Sequence, residues 1–432
     1  MVFLLAPGGA KAVDVERVYT LETSIAQALA DNWSLKAQKE KVTEAEYIEK
    51  QAKADFYPKF STTYGFTYLS KVSRADAVPI GGGNTIPGYD LNTRDNFQWK
   101  TSVTQPLFTG FALTSAHELA KLGIDQSELN LETTKLDLVL RVKEAYFDIL
   151  GAEKSVEVAE KAVESLRSNV HVTLSFYKVG MIPINDLLKV EVELANAEQN
   201  LVKARNAVRL AKSSFNTVLS RPVNDPAEVE DILVYIPEEG SFEAYLERAL
   251  KSRPEIRLID VNLWQADQQI RLAKSKFYPE ASLSYDYIKE GDDVSVSGSD
   301  FHDASHWQVM AGLNWTFWEW GKTRSAVRQR ESVKRQIQEA RKTLEDSIAL
   351  EIRKAVLDLD VAAKNVPTTE KALQQGEENL RVSEERYKAQ VTTITEVLDA
   401  QTLLTQARVN YYSALYSHNL AKARLRRGLG EY

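Results

Sequence analysis

The sequence predicts a mainly α-helical protein that also carries amphipathic β-hairpins, with the whole arrangement written twice along one chain. Three observations predict it: an internal repeat, segments of strict period-two alternation, and heptads sustained over long stretches. Ala28-Leu29, Ala45, Ala52-Lys53 and Phe56-Tyr57-Pro58 recur 221 residues later as Ala249-Leu250, Ala266, Ala273-Lys274 and Phe277-Tyr278-Pro279. Beyond the following strands the register resumes at 210, placing Glu160-Lys161-Ala162 on Glu370-Lys371-Ala372 and Tyr177-Lys178 on Tyr387-Lys388. A repeated unit of this size is one architecture built twice. The expected division is 1–19 as a signal remnant or flexible N-terminus, 20–220 as repeat one, 221–241 as a linker and 242–430 as repeat two.

Composition narrows the class. The 432 residues carry a net charge of -7, so no nucleic-acid partner is expected. With no cysteine there is no disulfide framework, thiolate metal site or cysteine nucleophile. The opening Val2-Phe3-Leu4-Leu5-Ala6, followed by Ala10-Lys11-Ala12, resembles the tail of a secretory signal. No run of about 18 apolar residues occurs, which excludes a transmembrane helix but not a membrane barrel.

Each repeat reads as helix, strand, loop, strand, long helix, shorter helix. Residues 20–55 read as helix broken near Asn32, and 242–276 read likewise with a break at Pro254. Both end at Phe-Tyr-Pro, where proline stops the helix and extended chain begins. Hairpins follow at about 58–108 and 279–318. Phe60, Thr62, Tyr64, Phe66 and Tyr68 alternate with small or polar residues, as do Phe97, Trp99, Val103 and Leu107. The second copy repeats the alternation with Leu283, Tyr285 and Tyr287, then Trp307, Val309, Leu313, Trp315 and Phe317.

A soluble sandwich would show the same alternation. Strands of roughly 9 to 13 residues, tyrosine and tryptophan towards the strand ends, and long loops at 74–95 and 290–305 favour lipid on the apolar side. Four strands cannot close a barrel, and an open edge in lipid leaves unpaired amides, so an oligomer is expected. Eight strands from a dimer and twelve from a trimer both remain open on these grounds.

The helices carry the strongest period. Leu138, Val142, Ala145, Ile149, Ala152, Val156, Ala159, Val163, Leu166 and Val170 alternate spacings of four and three, as do Leu194 through Val218 on the helix after it. Such a repeat means left-handed coiled-coil packing, and the break at 180–183 makes the two helices an antiparallel hairpin. The second copy keeps the seam with Ile348, Ile352, Leu359, Leu373 and Leu380, then Leu404, Ala414 and Leu425. The run 111–178 is long enough for about 100 Å of helix, against about 55 Å each for 184–219 and 20–55, so two short helices can flank one long one. The last helix is expected at 393–428.

In order along 20–430, several short motifs together resemble the TolC-like outer-membrane efflux protein family, the outer membrane factors. They are the duplication itself, the Phe-Tyr-Pro exits, Gln105-Pro106-Leu107-Phe108, Arg253-Pro254-Glu255 and Thr395-Glu396-Val397-Leu398-Asp399-Ala400. The resemblance implies a homotrimer with a 12-stranded outer-membrane β-barrel continuous with a 12-helix periplasmic α-barrel. It implies a passive exit duct, not an enzyme, for tripartite efflux or type I secretion, partnered by outer-membrane lipid, a periplasmic adaptor (membrane fusion) protein and an inner-membrane transporter of RND or ABC type. No cofactor and no metal are expected, and no phosphate-binding loop occurs. The competing readings are a structural periplasmic coiled-coil protein, which leaves the hairpins unexplained, and a soluble enzyme, for which no convergent acid, base or metal cluster appears.

Site residues follow from the same resemblance. Glu396 and Asp399, one turn apart, match acidic residues facing the pore, where carboxylates favour cations. Tyr387 matches the gate tyrosine and Asp186 the aspartate that it hydrogen-bonds, while Thr392 stands where an arginine is common. Adaptor contact is expected at Val179, Gly180 and Met181 in copy one and at Gln390, Val391 and Thr392 in copy two. The membrane-facing aromatics are Phe60, Tyr64, Phe66, Tyr68, Phe97, Trp99, Tyr285, Tyr287, Trp307, Trp315 and Phe317. His302, Asp303 and His306 fall in an outer loop or strand edge and read as no metal site; His418 reads as a packed core histidine and Pro367 as a kink.

Overall fold

The computed structural model describes residues 18–238, 240–301 and 303–432. The signal-like opening and His302 lie outside the described residues. Two compact units divide the chain: one holds the described residues up to Glu40 with Leu129–Leu258 and Arg341–Tyr432, the other Lys41–Glu128 with Ile259–Ala340.

In the first unit, strand β1 (Val18–Tyr19) leads into helix α1 (Leu21–Asp31). Thr20 and Thr23 cap its start reciprocally, each side chain accepting from the other's backbone N–H. Helix α2 (Trp33–Ala54) begins one residue later. Asn32 makes that break: its Oδ1 accepts from the Leu35 N–H at 3.2 Å and its amide donates to the Val218 carbonyl at 2.9 Å.

The second unit contains the sheet. Strands β2 (Lys59–Tyr68), β5 (Asp95–Thr109), β7 (Glu280–Gly291) and β8 (Ser305–Asn314) form one antiparallel sheet in the order β2-β5-β7-β8. The loop after β2 carries a small hairpin of β3 (Val78–Gly81) and β4 (Asn84–Ile86). The sheet is open, and both edge strands are exposed along their length. Pairing of Tyr64 with Trp99, Phe66 with Phe97, Val103 with Tyr285, and Tyr287 with Trp307 puts the aromatics of all four strands on one face.

Two expectations about the strands are corrected. Leu107 is the extra residue of a bulge between Pro106 and Phe108, which is where a strand tolerates a proline without an N–H to donate. Trp315 and Phe317 lie past the end of β8, because its neighbour β7 starts at Glu280, just after Pro279. The Trp315 indole instead donates to the Phe277 carbonyl at 3.1 Å.

Long helix α3 (Ala112–Lys178) and helix α4 (Ile184–Val218) follow in repeat one, and α7 (Lys322–Lys388) and α8 (Ile394–Gly428) in repeat two. Helix α7 runs on through Pro367. Between the copies lies β6 (Glu228–Val229), paired in parallel with β1; repeat two then opens with α5 (Phe242–Ser252) and α6 (Pro254–Lys274), with a 3-10 turn at Ser275–Phe277. The heptad residues Leu138, Val142, Ile149, Phe215 and Ala414 form a buried core with Ala28 and Leu35 of α1 and α2. Ile348, Ile352, Ala421 and Leu425 do the same with Tyr245 and Ala249 of α5. Each fully buried leucine or isoleucine contributes on the order of 2 kcal/mol. Tyr146 ties the β1–β6 pair down by donating to the carbonyls of Glu230 (2.8 Å) and Tyr19 (3.0 Å), and burial pushes its hydroxyl up to about 12.

Candidate functional site

A helix must release its last carbonyls to partners, and both long helices do so the same way. The N–H of Met181 bonds the Phe176 carbonyl at 3.0 Å, and that of Val391 bonds the Arg386 carbonyl at 2.9 Å. Each pattern needs one left-handed residue, which is Gly180 (φ 77°) in copy one and Gln390 (φ 60°) in copy two. The tips therefore share a backbone but not a sequence. Val179, Met181 and Val391 stand out exposed on them.

Just inside the tips the two hairpins meet. Leu166, Val190, Leu380, Ile394, Val397 and Leu404 form one buried apolar cluster with Tyr387, whose ring meets Phe176 edge-on at 5.6 Å. This apolar seam contains a row of polar groups at one-turn spacing on α3, the half-buried Ser165 and the buried Asn169 and Thr173. Thr173 accepts from the Tyr387 hydroxyl at 3.2 Å, Ser165 donates to Gln401 at 2.6 Å, and the buried amide nitrogen of Asn169 between them has no partner among the described residues. Burial pushes the Tyr387 hydroxyl up, with the Thr173 hydrogen bond acting against it and the Asp186 carboxylate adding to the rise.

The latch implied by resemblance is corrected here: Tyr387 bonds Thr173, not Asp186. Asp186 lies in the first turn of α4 and faces Lys189, 3.4 Å away on its own helix. Glu396, in the first turn of α8, is held by Arg386 at 2.9 Å and by the Thr392 hydroxyl. Asp399 is exposed and makes no ion pair among the described residues. The two acidic residues of α8 thus differ in kind, one neutralised within its hairpin and one bare.

Sequence reasoning missed Thr173, Arg386, Asn169 and Gln401. Thr173 had a signal, since it falls on the heptad position after Val170. Arg386 had none, because its pairing spans the turn between two helices.

The sheet inverts the usual arrangement of a water-soluble layer. Its aromatic face is bare, with Phe60 at 76 % exposure and Trp307 at 66 %, whereas Asp286 on the polar face is only 4 % exposed. Lys100 (2.9 Å), Ser102 (2.6 Å) and Gln308 (2.9 Å) surround that carboxylate from the two flanking strands. Among the described residues no helix is long and apolar enough to cross a membrane, and no group of three or more potential ligands could hold a metal. His306 lies in β8 opposite Ile288, and His418 is buried, with Nε2 3.0 Å from the Ile236 carbonyl.

The family described as outer membrane efflux protein matches residues 24–219 and again 245–431, one match per repeat. The chain belongs to this family. It is 22 % identical over 395 residues to outer membrane protein TolC of Escherichia coli K12, covering 88 % of this chain and 76 % of that protein. It is 21 % identical over 360 residues to TolC of Vibrio cholerae, covering 80 % and 81 %. Among solved structures, CusC superimposes with a TM-score of 0.79 at 18 % identity, covering 95 % of this chain and 92 % of that one. VceC of Vibrio cholerae gives 0.77 at 17 % identity, covering 95 % and 96 %. As an outer membrane efflux protein, this chain is a transport channel component of the outer membrane of a Gram-negative envelope, extending into the periplasm.

Proposed function

We propose that the protein is the passive exit duct of a tripartite efflux or type I secretion system, assembled from three copies. The observation that carries this reading is the inverted sheet: a bare aromatic face, a polar face whose one buried charge, Asp286, is held by Lys100, Ser102 and Gln308, and two open edges. Lipid suits the first, a water-filled lumen the second, and neighbouring copies the third. Three four-stranded sheets joined edge to edge give a closed barrel of twelve strands. Exposed apolar residues on α4 (Leu188, Val192, Leu210) and α7 (Leu350, Val361) are the faces that neighbouring copies would cover.

The long and short helices of both repeats would continue the barrel as a periplasmic cylinder of twelve helices. Its tips, at Val179, Gly180 and Met181 and at Gln390, Val391 and Thr392, would meet a periplasmic adaptor, and an inner-membrane RND or ABC transporter would supply the energy. The seam around Tyr387 would hold the tips together when the duct is closed. Asp399 would give the narrow end its cation preference, with Glu396 joining it when Arg386 lets go. Native mass spectrometry of detergent-extracted outer membranes tests the assembly: a trimer supports the reading, and a soluble monomer sinks it.

A further inference from the structure

Past the end of β8 the chain places four aromatics in six residues, Trp315, Phe317, Trp318 and Trp320, on irregular backbone. They are 52 %, 79 %, 66 % and 89 % exposed, and Trp320 adopts a left-handed φ of 51° where the first repeat has Gly110. A cavity of about 300 Å³ opens between Trp315, Trp318, Lys276, Lys322 and Arg324, with Glu319 on its wall. Glu319 accepts from the Thr323 hydroxyl at 2.8 Å and lies 3.9 Å from Lys322, and Lys276 pairs with Glu280 at 2.9 Å. Arg324 and, one turn on, Arg328 make no ion pair among the described residues, and the first turn of α7 has no acidic residue.

We propose that this corner seats the headgroup of an anionic phospholipid, with the tryptophans against the upper acyl chain and Lys322 and Arg324 on the phosphate. The inference rests on the proposed membrane orientation of the sheet, since the corner continues its aromatic face. Amphipathic indole rings beside the unpaired Arg324 and the exposed Lys322, 3.9 Å from its one carboxylate, match the boundary between hydrocarbon and anionic headgroups. A neighbouring copy fits less well. The open edge it would bring, the base of β2, starts at Lys59 just after Lys53 in the last turn of α2, and the Asp55 between them is already 2.9 Å from Lys59. The first repeat has Gln105-Pro106-Leu107-Phe108 in place of the tryptophan run, so the seat occurs once per copy.

Purified channel, delipidated and re-supplied with phosphatidylglycerol or phosphatidylcholine, tests this by native mass spectrometry. The wild type is expected to retain phosphatidylglycerol about tenfold better, in line with two cations near a phosphate. Lys322→Gln with Arg324→Gln should abolish the preference, Trp318→Ala should reduce retention of both lipids, and Lys59→Gln should leave the preference intact. Equal retention by the wild type, or an unchanged preference in the double variant, overturns the proposal. So does dissociation of the double variant into monomers in neutral detergent, which would make the corner a contact between copies. Conductance across phosphatidylcholine bilayers separates the two readings: a conducting protein without headgroup preference loses only the lipid seat, whereas one that never conducts loses the duct as well.

Discussion

The hydroxyl of Tyr387 on α7 donates to the hydroxyl of Thr173 on α3 at 3.2 Å, joining the two helical hairpins inside an apolar seam. Removing one partner strands the other, at about 1–3 kcal/mol, whereas removing both leaves an apolar contact of nearly the same shape. Thr173→Val and Tyr387→Phe should each loosen the hairpin contact and raise resting conductance, and the double variant should return close to wild type. A double-mutant cycle in single-channel recordings checks this. Additive effects of the two changes would mean that the pair is not coupled.

The tips offer a backbone test. Gln390 holds a left-handed conformation that costs an ordinary residue about 1–2 kcal/mol. Gln390→Gly should therefore raise the thermal midpoint, and Gly180→Ala should lower it by a comparable amount, since open space surrounds the missing Cβ. Scanning calorimetry of the purified protein measures both.

Two other glycines should behave unequally. A Cβ on Gly110 would lie 2.4 Å from the Ser275 carbonyl oxygen at a φ of 60°, whereas one on Gly321 meets nothing within 4 Å. Gly110→Ala should lose most assembled protein, while Gly321→Ala should be lowered by only about 1 kcal/mol. Yield of trimer from extracted membranes distinguishes them.

Acid should weaken the helical unit through one network. Arg253 binds Glu255 and Glu351, and Arg427 binds Glu255 and Asp137. Burial pushes the Glu255 carboxyl up, but hydrogen bonding and charge from Arg253, with Arg427, outweigh it and hold it at about 2. A carboxyl lowered on folding stabilises above its unfolded value and loses that contribution as pH falls through its folded one. Stability should drop between about pH 4.5 and 2, by on the order of 2–3 kcal/mol per copy. Thermal midpoints across that range check it: Glu255→Gln should start lower at neutral pH and fall less on acidification.

The pattern-bearing parts of the fold were legible in the sequence because they are local. Heptads such as Leu138 to Val170 and the alternation from Phe60 to Tyr68 mark the buried stripe and the aromatic face directly. The ends were harder. Where β8 stops depends on its partner starting after Pro279, so Trp315 and Phe317 read as strand although they are not. The gate was less legible still. The partner of Tyr387 lies 214 residues away, and its choice of Thr173 over Asp186 is decided by how two long helices register. Likewise Arg386 reaches Glu396 only once the turn between α7 and α8 is built. Gln390 hid its role because glycine is the expected residue there.

Planar-bilayer recording tests the central claim most directly. Purified trimer added to one side should insert and give discrete, cation-selective conductance steps that need no nucleotide or ion gradient as an energy source. A protein that stays monomeric and never conducts would contradict the account.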